Sequence, residues 1–237
     1  IEDAVIMTPR HFKFRHLALA CSLFGLASTA QAELPGPHYQ VQRVGPLCPI
    51  AQDPAQYNTK YLSFFTALVQ GKGDWLFRSH YDLRTDFGTS AQGYRQFKRL
   101  RDALKRKGVE LMVVYQPTRG LVNREHLSDE EKARFNFDLA KANYLKSIEG
   151  FRKAGIWTPD LSPLFDERDV ETPYYFQADH HWTPAGAERT ARLVAETLKR
   201  IPAYQDIEKQ EFASSVTGLL PKAGTLHKTA AQFCGTS

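Results

Sequence analysis

The sequence lacks any apolar stretch that would span a bilayer as a mature helix, which takes about 20 residues. It has no internal repeat and no low-complexity tract, which excludes repeat, collagen-like and disordered classes. Neither charge sign dominates, because 31 lysines and arginines face 26 aspartates and glutamates. The net charge of +5 favours an acidic polymer but is too small for a nucleic-acid footprint, so no nucleic-acid partner is expected. With 42% apolar residues, the 237-residue chain can bury a sizeable core.

The N-terminal region has the pattern of a secretory signal peptide. A basic stretch after Met7 precedes a mostly apolar run, Leu17 to Ala27, and small residues then occupy the −3 and −1 positions before Glu33. This order predicts that residues 1–32 comprise a signal peptide with upstream residues, cleaved after Ala32, so that no stable membrane insertion remains. A lipoprotein signal ending at Cys21 is the rival interpretation, but only four apolar residues precede that cysteine.

The few cysteines of the chain are distributed in a way that indicates one disulfide bond. The chain has three cysteines, and removal of the signal leaves only Cys48 and Cys234. Two cysteines in an oxidising compartment predict one disulfide that ties the start of the mature chain to its end. Two unpaired buried thiols are the alternative.

Hydrophobic periodicity predicts alternating helices and short strands, and therefore an α/β sheet with crossover helices. In such sheets, ligands bind beyond the carboxyl ends of the strands, which places the chemistry in the loops at 116–120 and 161–182. The predicted helices cover Tyr57–Val69, Thr89 or Ser90 to about Lys107, a long Ser128-capped helix to Lys153, and Thr183-Pro184 to Ile201; the predicted strands are Trp75–Phe77, Val109–Tyr115 and Ile156–Trp157.

Asp179, His180 and His181 stand immediately before a predicted helix. In an extended segment, residues two apart face the same side, so Asp179 and His181 would share a site while His180 turns away. A carboxylate beside an imidazole fixes its tautomer and stabilises the imidazolium, which is the acid–base half of a serine triad. Helix capping or a buried polar network would also explain the pair. A zinc site ranks lower, because the other mature histidines have no ligand-like spacing: His38, His80, His126 and His227.

The segment Asp179-His180-His181-Trp182-Thr183-Pro184 resembles the signature of the periplasmic alginate O-acetyltransferase family, whose AlgX-like members are related to AlgJ and carry an SGNH-hydrolase-like domain. The resemblance extends from about Cys48 to Cys234. Further similar segments are Tyr57-Asn58-Thr59-Lys60-Tyr61, Asp74-Trp75-Leu76-Phe77-Arg78, Tyr81 to Thr89, and Tyr115-Gln116-Pro117-Thr118-Arg119-Gly120 with Leu121-Val122-Asn123-Arg124.

The resemblance implies an SGNH-hydrolase-like sheet flanked by helices and incomplete at its C-terminus, with residues 33–237 as the N-terminal part of the acetyltransferase domain. In the family, the aspartate and the second histidine act with a serine, which assigns those roles to Asp179 and His181. The family's serine lies downstream of the region equivalent to Cys234, and a carbohydrate-binding module follows. Gly235-Thr236-Ser237 directly follows the cysteine and does not match the serine motif. We therefore expect the nucleophile and the module to be absent from this chain, which would be inactive alone.

For the complete protein, the resemblance implies periplasmic O-acetylation of polymannuronate in alginate biosynthesis, without metal or organic cofactor. The implied partners are the acidic polysaccharide, an acetyl-donor protein and alginate export or scaffold proteins. Arg119 and Arg124 are candidates to bind uronate carboxylates, and Tyr175 and Trp182 are candidates to stack on sugar rings. Two alternatives remain open. One is an SGNH-type carbohydrate esterase, and the other is a non-catalytic polymer-binding or scaffold subunit.

Overall fold

The computed structural model describes residues 39–40, 45–167, 172–213, 220–221 and 224–235, so the predicted signal peptide lies outside the described residues. Helices dominate, and the strands are short. The helices are α1 (Pro49–Gln52), α2 (Ser79–Asp82), α3 (Ala91–Lys105), α4 (Arg119–Val122), α5 (Asp129–Arg134), α6 (Phe137–Lys153), α7 (Pro184–Leu198), α8 (Pro202–Gln205) and α9 (Thr225–Cys234). The strands are β1 (Tyr39–Gln40), β2 (Leu68–Gln70), β3 (Leu76–Arg78) and β4 (Leu220–Pro221), and 3-10 turns cover Pro54–Gln56, Leu62–Phe65, Arg124–His126 and Ser162–Phe165.

Two long helices begin where the sequence predicts. The Ser90 hydroxyl accepts a hydrogen bond from Gly93 N at 3.0 Å and caps α3. The Thr183 hydroxyl accepts from Gly186 N, also at 3.0 Å, and caps α7, with Pro184 in the first turn. Each cap satisfies a backbone N–H group that has no partner inside the helix.

The single long helix predicted from Ser128 to Lys153 is wrong, because the chain forms two helices there. Ser128 caps the short α5, which ends where Phe135 adopts an extended conformation. The side chain of Phe135 is buried in the core, and Asn136 then caps α6 by accepting from Leu139 N at 3.0 Å. Burial of one aromatic ring and a second capping residue together outweigh the continuous helical pattern.

The helix predicted over Tyr57–Val69 is also wrong. Its middle forms only a 3-10 turn, and its end becomes β2, which pairs antiparallel with β3. The strand predicted at Trp75–Phe77 is confirmed as β3, shifted by one residue. Tertiary contacts favour the strand over the helix at Leu68. This residue pairs with β3, its side chain is buried, and its N–H donates to the Tyr57 hydroxyl at 3.1 Å.

The segment Val109–Tyr115 was predicted as a buried strand, and in the structure it makes one parallel bridge, between Met112 and Trp157. The predicted strand Ile156–Trp157 is likewise reduced to this bridge. Within the described ranges, paired strands form two two-stranded sheets, β1 with β4 in parallel and β2 with β3. The α/β class therefore takes the form of mixed helices around small sheets. The described segments pair with one neighbour at most, whereas a larger sheet needs three or more paired strands.

The core is centred on α6, whose buried face carries Tyr144, Ile148 and Phe151. Tyr144 stacks on Tyr115 at a ring-centroid distance of 5.6 Å and meets Phe165 edge-on at 5.0 Å. A second cluster joins α1, β2, β3 and α9 through residues such as Leu68, Leu76, Leu226 and Ala230. The candidate site lies between these two clusters, because Tyr174 and Tyr175 belong to the first and Ala178 to the second.

The predicted disulfide is confirmed. The sulfur atoms of Cys48 and Cys234 are 2.09 Å apart, and the Cα atoms are 5.5 Å apart. The bond joins the residue before α1 to the last residue of α9, and the rings of Tyr57 and Phe233 pack against each other with their centroids 5.0 Å apart. Throughout the part of the chain that the structure describes, every helix is too short or too polar to cross a membrane.

Candidate active site

A tight turn brings the Asp179–His181 segment to the protein surface. Tyr175 and Trp182 form an antiparallel bridge, and Thr183 N donates to Tyr174 O at 2.8 Å. Inside this bridge, Phe176 N donates to His181 O at 3.2 Å. A turn anchored on both sides presents the ends of its side chains in a fixed orientation.

Asp179 and His181 form a hydrogen-bonded dyad. The His181 Nδ1 atom lies 2.6 Å from Asp179 Oδ1, and the same oxygen accepts from the His181 backbone N–H at 2.7 Å. The Asp179 side chain is 1% exposed, whereas that of His181 is 53% exposed. A buried carboxylate accepts but does not donate, so it selects the tautomer that carries its proton on Nδ1. The second ring nitrogen, Nε2, is then available as a base.

The dyad forms for a different reason from the one that strand alternation suggested. The segment is a turn, and Asp179 Oδ1 bonds both the backbone N–H and the ring of the residue two positions later. The expectation that His180 turns away is wrong. Its ring lies against that of His181 at a centroid distance of 3.9 Å, and its Nδ1 atom shares a 2.6 Å hydrogen bond with Thr225 Oγ1.

His180 is held neutral by its surroundings. Burial lowers its pKa from the ordinary value of 6.5 to about 4, and the neighbouring His181 and Arg78 add to the lowering. An imidazole with that pKa is uncharged at neutral pH. The ring that lies against His181 is therefore neutral at that pH.

The N-terminus of α9 contacts the other side of Asp179. Thr225 N donates to Asp179 Oδ2 at 2.7 Å, and the next two backbone amides, Leu226 N and His227 N, donate to Ala178 O at 3.1 and 3.0 Å. The first amides of a helix have no partner within it and carry a partial positive charge, which suits a carboxylate. Gly224 permits this approach, since a Cβ atom there would lie 2.0 Å from Ala178 O. Sequence reasoning missed α9 entirely, because its role depends on a contact 46 residues away.

Arg119 was predicted to bind a uronate carboxylate, and the structure places it elsewhere. Its side chain is 1% exposed, and its guanidinium donates to backbone carbonyls of the site turn. A group enclosed in this way has no surface left for a polymer. Arg119 is a structural cation beneath the site, and the prediction of a substrate contact is wrong for this residue.

Of the other three residues predicted to contact substrate, one is buried and two are partly exposed. Tyr175 is buried, and its hydroxyl donates to Pro117 O at 2.5 Å, so the prediction that it stacks on a sugar is wrong. Trp182 is half-buried against the core. Arg124 lies 3.6 Å above the centre of the Phe137 ring and is partly exposed, beside a pocket of about 210 Å³.

Asp179, His180 and His181 could also be considered as metal ligands, since each offers an atom within 4.8 Å of the others. In the structure, His181 Nδ1 faces Asp179 Oδ1, and His180 Nδ1 faces Thr225 Oγ1. These contacts join the candidate ligand atoms to hydrogen-bond partners, whereas zinc binds deprotonated atoms that converge on one point.

Helices around a small sheet, with an Asp–His turn that leads into a helix, fit the class of SGNH hydrolase-like domains. A family model described as "SGNH hydrolase-like domain, acetyltransferase AlgX" matches residues 68–237. The chain belongs to this family, which confirms the resemblance noted from its motifs.

Individual relatives agree with this assignment. The alginate biosynthesis protein AlgX of Pseudomonas aeruginosa is 62% identical over 226 residues, which cover 94% of this chain and 47% of the relative. A solved structure of Pseudomonas aeruginosa AlgX is similar with a TM-score of 0.78 and 64% identity, covering 81% of this chain and 47% of that one. The probable alginate O-acetylase AlgJ of Pseudomonas putida is 26% identical over 162 residues, covering 67% of this chain and 40% of the relative. The chain thus spans about half the length of the AlgX relatives.

Proposed function

We propose that this chain supplies the acid–base half of an O-acetyltransferase that acts on an exported acidic polysaccharide of the alginate type. The observation that carries the proposal is the hydrogen bond of 2.6 Å between the half-exposed His181 ring and the buried Asp179 carboxylate. Membership of the acetyltransferase AlgX family and similarity to a probable alginate O-acetylase support the choice of acetyl transfer.

In the proposed mechanism, His181 Nε2 takes the proton of a serine hydroxyl while the serine oxygen attacks the acetyl carbonyl. Collapse of the tetrahedral intermediate breaks the bond between the acetyl carbon and the donor, and the imidazolium protonates the departing donor group. A sugar hydroxyl then attacks the acetyl-serine, gives its proton to His181, and leaves as the acetyl ester when the serine recovers that proton. Asp179 stays ionised throughout and stabilises the imidazolium.

Following the family resemblance, the serine of this triad is proposed to lie outside these 237 residues. In the part of the chain that the structure describes, no serine hydroxyl forms a hydrogen bond with His181; Ser214, Ser215 and Ser237 lie outside the described residues. The Asp–His pair would then meet its nucleophile in the complete protein, and residues 33–237 alone would not transfer acetyl groups.

The setting of this activity is also proposed. Polymannuronate would be the acceptor, with an acetyl-donor protein and alginate export or scaffold proteins as partners in the periplasm. Arg124 and Trp182 remain the candidates for polymer contact, because both side chains keep some exposure. The bond between Cys48 and Cys234 supports an oxidising compartment.

The proposal is tested by His181→Ala in the full-length protein, with acetyl transfer to polymannuronate as the assay. We expect kcat to fall by about 10⁶-fold, the loss seen when a serine triad is deprived of its histidine base. His80→Ala is the matched control and should retain the wild-type rate, since His80 is an exposed histidine on α2.

Acetylation at the wild-type rate by His181→Ala would refute the catalytic role and favour a polymer-binding or scaffold subunit. The product separates the two catalytic alternatives. Acetate released into water at a rate that polymannuronate does not change would instead identify an esterase, which uses the same triad with water as the acceptor.

A further inference from the structure

The turn that carries the dyad is fixed through its backbone carbonyl groups. Arg119 Nη1 donates to Phe176 O at 2.7 Å and to Asp179 O at 2.6 Å. Its Nη2 donates to Gln177 O at 2.9 Å and to Leu76 O, on β3, at 2.6 Å. Ala178 O is held by α9, so each carbonyl from 176 to 179 has a donor. Buried carbonyl groups need such partners, and here one side chain serves three of the four.

The guanidinium group of Arg119 is enclosed by three aromatic rings and a carboxylate. It lies over the rings of Trp75, Phe77 and Tyr175 at 5.3, 5.2 and 5.5 Å from their centroids. Its Nε lies 3.4 Å from Asp82 Oδ2 as an ion pair without hydrogen-bond alignment. Burial lowers the pKa of Arg119 to about 10, which leaves it charged at neutral pH.

Asp82 is itself fixed, which makes the ion pair a rigid support. Its Oδ2 accepts from Arg78 N at 2.7 Å, and its Oδ1 accepts from Arg78 Nη2 at 2.8 Å. The backbone of Gly120 also lies close, because a Cβ atom there would be 2.5 Å from Asp82 O. Arg119 shares the Asp82 carboxylate with Arg78, and its own side chain is enclosed, so it does not reach an external anion.

We propose that Arg119 is a positioning residue for the Asp179–His181 dyad, an inference that rests on the proposed function. Its Nη1 binds carbonyls at two points of the same turn, residues 176 and 179, so it sets the backbone torsion that aims the Asp179 carboxylate at the His181 ring. A dyad has to hold its geometry to a fraction of an ångström, and displacement by about 1 Å costs on the order of 10²-fold in rate. Arg119 acts through the backbone, without contact with substrate.

Arg119→Lys in the full-length protein tests this role. A lysine keeps the charge but presents one ammonium where the guanidinium presents a planar fork, so it cannot reach carbonyls on both sides of the turn. We expect kcat for polymannuronate acetylation to fall by about 10- to 100-fold with KM unchanged. Arg101→Lys is the control, because Arg101 is a partly buried arginine of α3 that pairs with Asp102 and not with the site turn. Its kcat and KM should match those of the wild type.

A spectroscopic measurement separates positioning from general stability. The His181 Nδ1–H proton, bonded to Asp179, should give a low-field proton resonance in the wild type and in Arg101→Lys. In Arg119→Lys this signal should weaken or disappear while the amide signals of α6 keep their positions. A lowered kcat with an intact Nδ1–H signal would overturn the proposal, as would an unchanged kcat or a raised KM with unchanged kcat.

The same resonance keeps this proposal distinct from the proposed function. If the wild-type protein transfers no acetyl group, the proposed function fails, and the Nδ1–H signal still decides whether Arg119 positions the dyad. If Arg119→Lys does not fold, hydrogen exchange on the wild type replaces it. We expect the Arg119 guanidinium protons and the His181 amide to exchange through one common opening; a His181 amide that exchanges tenfold or more faster would overturn the proposal.

Discussion

The site turn from Tyr174 to Thr183 and the segment from Val109 to Tyr115 differ in how many hydrogen bonds they make with distant parts of the chain. The carbonyls of the turn are bonded by Arg119 and by the first amides of α9. The segment pairs at a single bridge, and most of its side chains are half-buried. The turn has hydrogen-bond partners on β3, α4 and α9, whereas the segment packs mainly against α6 and α3. The number of non-local partners, rather than the strength of the local pattern, decides how firmly each region is fixed.

The largest expected effect comes from the disulfide, since α9 reaches the turn at one end and ends in Cys234 at the other. A double Cys48→Ser and Cys234→Ser change should lower the free energy of unfolding by up to about 4–5 kcal/mol in the chain-entropy treatment of a long closed loop. Urea unfolding of the oxidised protein against the variant measures this, and reduced wild type should match the variant. A loss below about 1 kcal/mol would show that apolar contacts alone hold α9 against the turn.

Substitutions in the segment Val109–Tyr115 should lower the free energy of unfolding by smaller amounts that depend on the position. Leu111 is buried with Phe151 and Ile156, so Leu111→Ala should cost about 2–4 kcal/mol of unfolding free energy. Val113 is half-buried, and Val113→Ala should cost about 1 kcal/mol or less. Urea unfolding of the two variants side by side gives the comparison. Equal losses at both positions would mean that the whole segment is packed as a central strand.

The smallest effect concerns the pH dependence of the turn. Because burial lowers the pKa of His180 to about 4, the unfolded chain binds this proton near pH 6.5 and the folded protein does not. Stability from this group is therefore complete above about pH 6.5 and is lost as the pH falls towards 4.

His180→Gln should flatten the slope of unfolding free energy between these pH values, with His80→Gln as the control. An NMR titration of the His180 ring gives a direct measurement. A midpoint near 6.5 would contradict the burial of this ring against Phe65 and His181.

Local chemistry made part of this structure predictable. Ser90 and Thr183 predict the starts of their helices correctly, because a capping side chain bonds a backbone N–H only three residues away. Asp179 and His181 were likewise predictable as a pair, because they are two residues apart. Arg119 looked like a surface ligand, since nothing near it in the sequence shows that residues 76 and 176–179 will enclose it. The contact of Thr225 with Asp179, and the failure of Val109–Tyr115 to form a strand, likewise depend on distant partners.

The bond between Cys48 and Cys234 also defines how the molecule bears mechanical load. A pull applied to the chain on the outer sides of the two cysteines passes through the sulfur–sulfur link and bypasses the residues between them, which include α6, Arg119 and the whole site turn. Tension of that kind would leave Asp179 and His181 unloaded. The pair would thus stay aligned under strain for as long as this one covalent bond stays oxidised.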